Sequence, residues 1–239
     1  ITSKKAGFEY LNELFIKRHQ KILWRSSRRI ALVCACVFLG LLCFVYAQPK
    51  VGEELGGRLL TFLPYFVYIM YFLNRGTGFT RALFMNCDHS LLTYSFYRRP
   101  KAILKLFSIR LREIVKINLL PAAVIGAGLS LLLYVTGGSR RPSDYLLIVV
   151  SILCMSVFFS VHYLTIYYLL QPYNAGTEMK SGTYGLICFA TYLVCFCMMQ
   201  VRIPLFLFGL ACILFCVIYC AAACLLVYRL APKTFKLRP

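Results

Sequence analysis

The chain has 239 residues, of which 60% are apolar and 15% charged, yet it carries a formal charge of +19 from 27 Lys+Arg against 8 Asp+Glu. A soluble domain of this size needs more charged surface, and a disordered chain needs lower hydrophobicity, so both classes are excluded. An integral membrane protein with a strongly basic water-facing part fits these numbers.

The first residue is Ile1, not Met, which leaves room for residues before it. Residues 1–29 show no short apolar core followed by a small-residue cleavage site, so no signal peptide is expected there. The stretch Phe8 to Trp24 has helical period: Phe8, Leu11, Phe15 and Ile22 share one side and basic residues fill the other. This pattern predicts an amphipathic elbow helix in the headgroup plane, its cations near anionic lipid and Trp24 as interface anchor. A bend near Ser26 and Ser27 would lead into the first span.

Six hydrophobic segments follow, at about 30–47, 59–73, 117–135, 145–170, 184–201 and 203–228. A spanning helix needs about 20 apolar residues. The second segment is short on that scale and is interrupted by Pro64. The expectation is an all-α, polytopic bundle of six transmembrane helices forming one membrane domain. Its parts are the elbow region 1–29, the first two spans within 30–73, a cytoplasmic segment 74–116, the last four spans within 117–228 and a tail 229–239. Residues 1–29 hold eight Lys/Arg, 74–116 nine, 171–183 one and the tail four. Only Lys50, Arg58, Arg140, Arg141 and Arg202 lie in the alternate loops. Positive charge marks the cytoplasmic side, which places both termini there. Nucleic acid is not an expected partner, because stacking and motif context are absent.

The segment 74–116 is too long for an idle connection. It opens on the turn cluster Asn74 to Gly78. Asp88 or Ser90 could cap a short helix through Leu91, Leu92, Tyr94 and Phe96, ended by Arg98-Arg99. Pro100 then sits at a favoured first helical position. From there Ile103, Leu104, Phe107, Leu111, Ile114 and Asn118 share one helical sector, opposite Lys101, Lys105, Arg112 and Lys116. Arg110 breaks this order at the edge of the apolar sector. Glu113 is within pairing reach three positions later. Arg110 therefore reads either as a snorkelling cation with a local ion pair or as a charge at the mouth of a pathway.

Within the fourth span, Ser156, Ser160, Tyr163 and Tyr167 recur on one face, and His162 is the one ionisable side chain inside a predicted span. They read as interhelical hydrogen bonding or, as Ser160, His162, Tyr163 and Tyr167 with Arg110, as a substrate-contact set. Of the twelve cysteines, Cys212, Cys216, Cys220 and Cys224 form a stripe on the last span, and Ala122, Gly126 and Ser130 a seam on the third. Both read as close helix packing, and no metal site is expected. Cys87-Asp88-His89 differs in order from the Asp-His-His-Cys signature of palmitoyltransferases and lacks the second His. A lipid-modifying enzyme using Cys87, Asp88 and His89 is one alternative, and a non-catalytic scaffold subunit is another.

The order of parts resembles an ATP-binding-cassette (ABC) exporter permease of the second type, in which an elbow helix precedes six spans and a coupling helix joins the second to the third. The closer resemblance is to an ABC exporter permease family of Firmicutes. It runs through the stretch Phe84-Met85-Asn86-Cys87-Asp88-His89-Ser90-Leu91-Leu92-Thr93-Tyr94-Ser95-Phe96-Tyr97-Arg98-Arg99-Pro100. The resemblance implies a bacterial cell-membrane subunit with an ATPase-docking element at Asn86, Asp88, His89, Leu91, Leu92, Tyr94, Tyr97 and Arg98. It implies ABC ATPase partner subunits and a second permease copy or homologous subunit. The chain has no G-x-x-x-x-G-K-[ST], so ATP and Mg would be held by the partner and no cofactor by this chain. The chain departs from the pattern where its last two spans join almost directly at Val201-Arg202-Ile203-Pro204.

Overall fold

The computed structural model describes residues 5–174, 176, 179 and 181–237, with only the backbone of Ile22. Lys4, Lys180 and Arg238, three basic residues assigned above to the cytoplasmic side, lie outside the described residues, as does the side chain of Ile22. Among the described residues the regular structure is helical, apart from one antiparallel bridge between Tyr173 and Met179.

The first helix, α1, runs without a break from Gly7 to Ala47. The expected bend at Ser26–Ser27 is absent. Both serines instead face the protein: the Ser27 hydroxyl donates to the Ile117 carbonyl at 2.5 Å, and Ser26 accepts from the Arg75 guanidinium. The apolar side of the first half packs on protein as well. Phe15 meets Phe79 edge-on at 6.3 Å, and Phe8 meets Tyr97 at 6.0 Å. A helix lying flat on lipid would have left those rings against acyl chains. Leu23–Ala47 is the apolar stretch of α1 able to cross a membrane.

The predicted second span is not one helix. Residues Pro49–Leu59 form α2 and Tyr65–Leu73 form α3, separated by a turn at Thr61–Pro64. At 1.5 Å per residue the nine residues of α3 reach only about 14 Å. Two features shape this break. Pro64 cannot donate an amide into a continuing helix. Gly56 lies so close to Gly138 that a Cβ on Gly56 would come 3.1 Å from the Gly138 Cα.

Short pieces then make up the next segment: α4 (Gly76–Leu83), a π-helical turn (Phe84–Asp88), α5 (His89–Leu91) and a 3₁₀ turn (Ser95–Arg98). Pro100 starts α6 (Pro100–Val135) at its first turn. Three more helices follow: α7 (Pro142–Leu170), α8 (Gly182–Met198) and α9 (Leu205–Thr234). Four helical stretches are long and apolar enough to cross a membrane: Leu23–Ala47 of α1, and α6, α7 and α9. The chain is thus an all-helical, membrane-embedded protein. The 17 residues of α8 are apolar but shorter.

Two apolar cores share the bundle. One lies where the starts of α1 and α6 meet the ends of α7 and α9, around Phe15, Phe79, Phe107, Tyr168 and Phe235. The other fills the rest of the bundle, around Ile125, Leu133, Ile152, Phe159 and Phe208. The small-residue seam on α6 closes against α7: Ala122 is buried, Gly126 backs onto Val149, and Ser130 donates to the Tyr145 carbonyl at 3.1 Å. On α9, the Cys212 and Cys216 thiols lie 3.8 and 3.3 Å from the Ser151 and Cys154 carbonyls of α7. This half of the cysteine stripe packs helix on helix, whereas Cys220 is half-buried and Cys224 exposed.

Candidate functional site: a buried ion pair beneath a short helical segment

The residues that break the amphipathic order of the sequence come together. Asp88 closes the π-helical turn and Arg110 lies on the third turn of α6, yet their side chains form a two-pronged ion pair with exposures of 0% and 1%. Arg110 Nη1 donates to Asp88 Oδ2 at 2.8 Å, and Nη2 donates to Oδ1. This parallel geometry is the strong form of the carboxylate–guanidinium contact.

Three tyrosine hydroxyls join the shell, while Arg110 Nε is buried without a hydrogen-bond partner among the described residues. Tyr97 donates to Asp88 Oδ1 at 2.8 Å and accepts from Arg110 Nη2 at 2.8 Å. Tyr167 donates to Oδ2 at 2.6 Å, and Tyr168 accepts from Arg110 Nη1 at 2.6 Å. Two charges taken out of water cost more than their attraction returns unless further hydrogen bonds satisfy them. Here each carboxylate oxygen has two donors. Burial pushes the Tyr97 hydroxyl far above its ordinary range, with the Arg110 charge opposing, so it stays a donor. Burial also raises the Cys87 thiol, which sits 3.9 Å from Arg110 Nη2.

This arrangement corrects several sequence expectations. Arg110 does not pair with Glu113, which bonds Lys116 at 3.0 Å. Arg110 is not a snorkelling cation either, because its guanidinium is enclosed. Asp88 makes no helix-capping bond, since Arg110 and the tyrosines use its carboxylate. The helix expected through Leu91–Phe96 is instead the end of α5 and the start of the 3₁₀ turn, with residues 92–94 in neither.

The eight docking residues divide by exposure. Asp88, Leu92 and Tyr97 are buried and hold the segment from beneath. Asn86 and Tyr94 are exposed, and His89, Leu91 and Arg98 are half-buried. Met85 and Phe96, exposed beside them, lie outside that docking set. An apolar cleft of about 320 Å³ opens between Phe8 and Leu11 of α1 and Leu91, Phe96 and Tyr97. Of the residues named for the enzyme alternative, Asp88 has both oxygens hydrogen-bonded, Cys87 is buried and His89 is half-buried.

The pathway set disperses. Tyr167 belongs to the ion-pair shell, and Ser160 accepts from Asn118 Nδ2 at 2.9 Å. Asn118 Oδ1 in turn accepts from the Arg75 amide at 3.1 Å, which ties the start of α4 to α6 and α7. Gly76 sits directly on the Tyr163 ring. His162 points elsewhere: Nδ1 lies 2.7 Å from the Tyr219 hydroxyl and Nε2 3.1 Å from Thr191. These line an otherwise apolar cavity of about 590 Å³ between α7, α8 and α9. Arg110 and Tyr167 thus meet on Asp88, while Ser160, Tyr163 and His162 contact other groups. Tyr168 was missed. A usable signal was present, because an Arg on an apolar sector needs an acid, and Asp88 and Glu113 are the only acids in 74–116.

Comparison with protein-family models, with curated proteins and with solved structures returns no match.

Proposed function

We propose that this chain is the permease subunit of an ATP-driven ABC exporter of the cell membrane. In this reading α3 and α8 complete six passes with the four long helices, and both termini are cytoplasmic. Two contacts support that path. The far end of α8 lies where Arg202 covers the Phe62 ring at 4.0 Å. Close by, the Leu205 amide donates to the Leu60 carbonyl at 2.8 Å. The long helices crowd their basic residues at the opposite end.

The observation that carries the functional reading is the short segment 84–98. Its underside is fixed to α6 and α7 by the Asp88–Arg110 pair, and its upper side offers Met85, Tyr94 and Phe96 to water. Exposed aromatics on a mount held from beneath, beside an apolar cleft, suit a protein partner. A partner ATPase that gripped this mount would pull directly on α6 and α7. ATP and Mg are held by that subunit, and a second permease copy or homologous subunit completes the membrane core.

The test is co-purification with candidate ABC ATPase subunits, with ATPase stimulation as the second readout. Tyr94→Ala combined with Phe96→Ala should lower association at least tenfold while the chain stays folded. Unchanged association and stimulation would leave the scaffold reading standing. An intrinsic enzyme would instead lose turnover with Cys87→Ser or His89→Ala while assembly stayed intact.

A further inference from the structure

The +19 charge is not spread evenly over the basic end. On α1, Lys21, Arg25 and Arg28 are exposed and fall within about 60° of one another at 3.6 residues per turn. Arg29 and Trp24 flank them, and all five line one cleft that also includes Leu32. No ion pair among the described residues involves any of the four cations. Glu13 serves Lys5 and Lys17, Glu54 serves Arg58, Asp88 serves Arg110 and Glu113 serves Lys116. Four cations within nine residues therefore have no ion-pair partner among the described residues and are open to an anion from outside.

The lower wall of the cleft says which anion. Leu32 is 67% exposed and continues into exposed Val33 and Leu39, all within the stretch that crosses the membrane. Trp24 is half-buried, its ring between the cations and the apolar core. Cations above, an indole at the boundary and an uncovered aliphatic strip below match an amphiphile: phosphate on top, acyl chain underneath. A free phosphate would use the first of these features only.

We propose that Lys21, Arg25, Arg28 and Arg29, with Trp24 and Leu32, form a binding site for the headgroup of an anionic phospholipid. The site anchors α1 at the depth where its packing on α6 begins, at Ser27. It requires only that Leu23–Ala47 crosses the bilayer, whatever partner the chain serves.

Trp24 is the single tryptophan of the chain, so its emission reports on the site. The full chain in neutral detergent is titrated with phosphatidylglycerol and, separately, with phosphatidylcholine. A saturable change with phosphatidylglycerol alone is expected. The triple variant Lys21→Gln, Arg25→Gln, Arg28→Gln should weaken it about a hundredfold, at about fivefold per cation. A control triple of equal charge change, Lys101→Gln, Lys105→Gln, Arg112→Gln, alters exposed cations of α6 and should move the midpoint less than about twofold. If the first triple does not fold, Arg25→Gln alone, expected to weaken binding about fivefold, decides. Equal loss in the control would reduce the site to general basic charge and overturn the proposal. So would an equal response to phosphatidylcholine, or the same emission change with inorganic phosphate alone.

Discussion

The two cores of this bundle are held by different physics. Around Ile125, Ile152 and Phe159 the packing is apolar and small-residue seams set the approach of the helices. Around Phe107 and Tyr168 the same kind of apolar packing encloses a charge pair and three hydroxyls. Apolar packing is tolerant: side chains of similar volume replace one another at modest cost. A buried ion pair is intolerant, because each charge depends on one specific partner. The end that carries the short segment 84–98 is therefore the part least tolerant of substitution, and the membrane-embedded middle the more tolerant.

The largest expected effect tests that contrast directly. Asp88→Ala or Arg110→Ala leaves the partner charge buried and alone, which costs about 3–5 kcal/mol. Ile152→Ala in the other core costs about 2–5 kcal/mol through lost burial and a cavity. Repair separates them better than magnitude. The double variant Asp88→Leu, Arg110→Met should recover part of the loss, since no orphan charge remains although the buried Tyr97, Tyr167 and Tyr168 hydroxyls lose their partners. Thermal unfolding in detergent measures all four. A double variant as unstable as the single ones would show that the tyrosine shell, rather than the charge pair, sets the cost.

Smaller is the effect of a single hydroxyl. Tyr167→Phe removes one of two donors to Asp88 Oδ2 and should cost about 1.5–3 kcal/mol. On the other core, Tyr163→Phe removes a hydroxyl that bonds no buried charge and should fall below that range.

Alkali probes the same shell. The Tyr97 hydroxyl is raised in the folded chain above its ordinary value of 10.0. The folded state then holds a proton that the unfolded state gives up, so folding stability falls as pH rises above about 10. Its contribution is complete below that pH. In Tyr97→Phe this part of the alkaline slope should vanish, which a series of unfolding midpoints from pH 9 upward would detect. An unchanged slope would remove Tyr97 from the titrating set.

The contrast also explains what could be read from residues alone. Periodicity located the apolar parts of α1, α6, α7 and α9, because a lipid-facing or packed helix repeats its pattern locally. The amphipathic order of 100–118 holds: Ile103, Phe107, Ile114 and Asn118 are buried, while Lys101, Lys105, Arg112 and Lys116 are exposed. The Asp88–Arg110 pair spans 22 positions, beyond any helical spacing, so the nearer Glu113 looked like the partner. The bend at Ser26–Ser27 failed for a related reason, since both hydroxyls find partners on distant segments, Ile117 and Arg75. Local pattern found the helices and their faces. Tertiary pairing decided which polar groups were buried.

The smallest expected effect on stability concerns the upper side of the less tolerant end. Tyr94 and Phe96 are 56% and 47% exposed, and Tyr94 lies between α5 and the 3₁₀ turn rather than within either. Truncating both should change unfolding free energy by no more than about 0.5 kcal/mol, as surface substitutions usually do. The mount beneath them stays intact, because Tyr97, Leu92 and Asp88 face the other way. This pairing of outcomes is the informative one. A large loss of ATPase association with no loss of stability places the partner on the exposed aromatics. A loss of both would mean that Phe96 closes the cleft beside Phe8 and Leu11 as part of the core, and the boundary between mount and free surface would have to be redrawn one residue nearer the water.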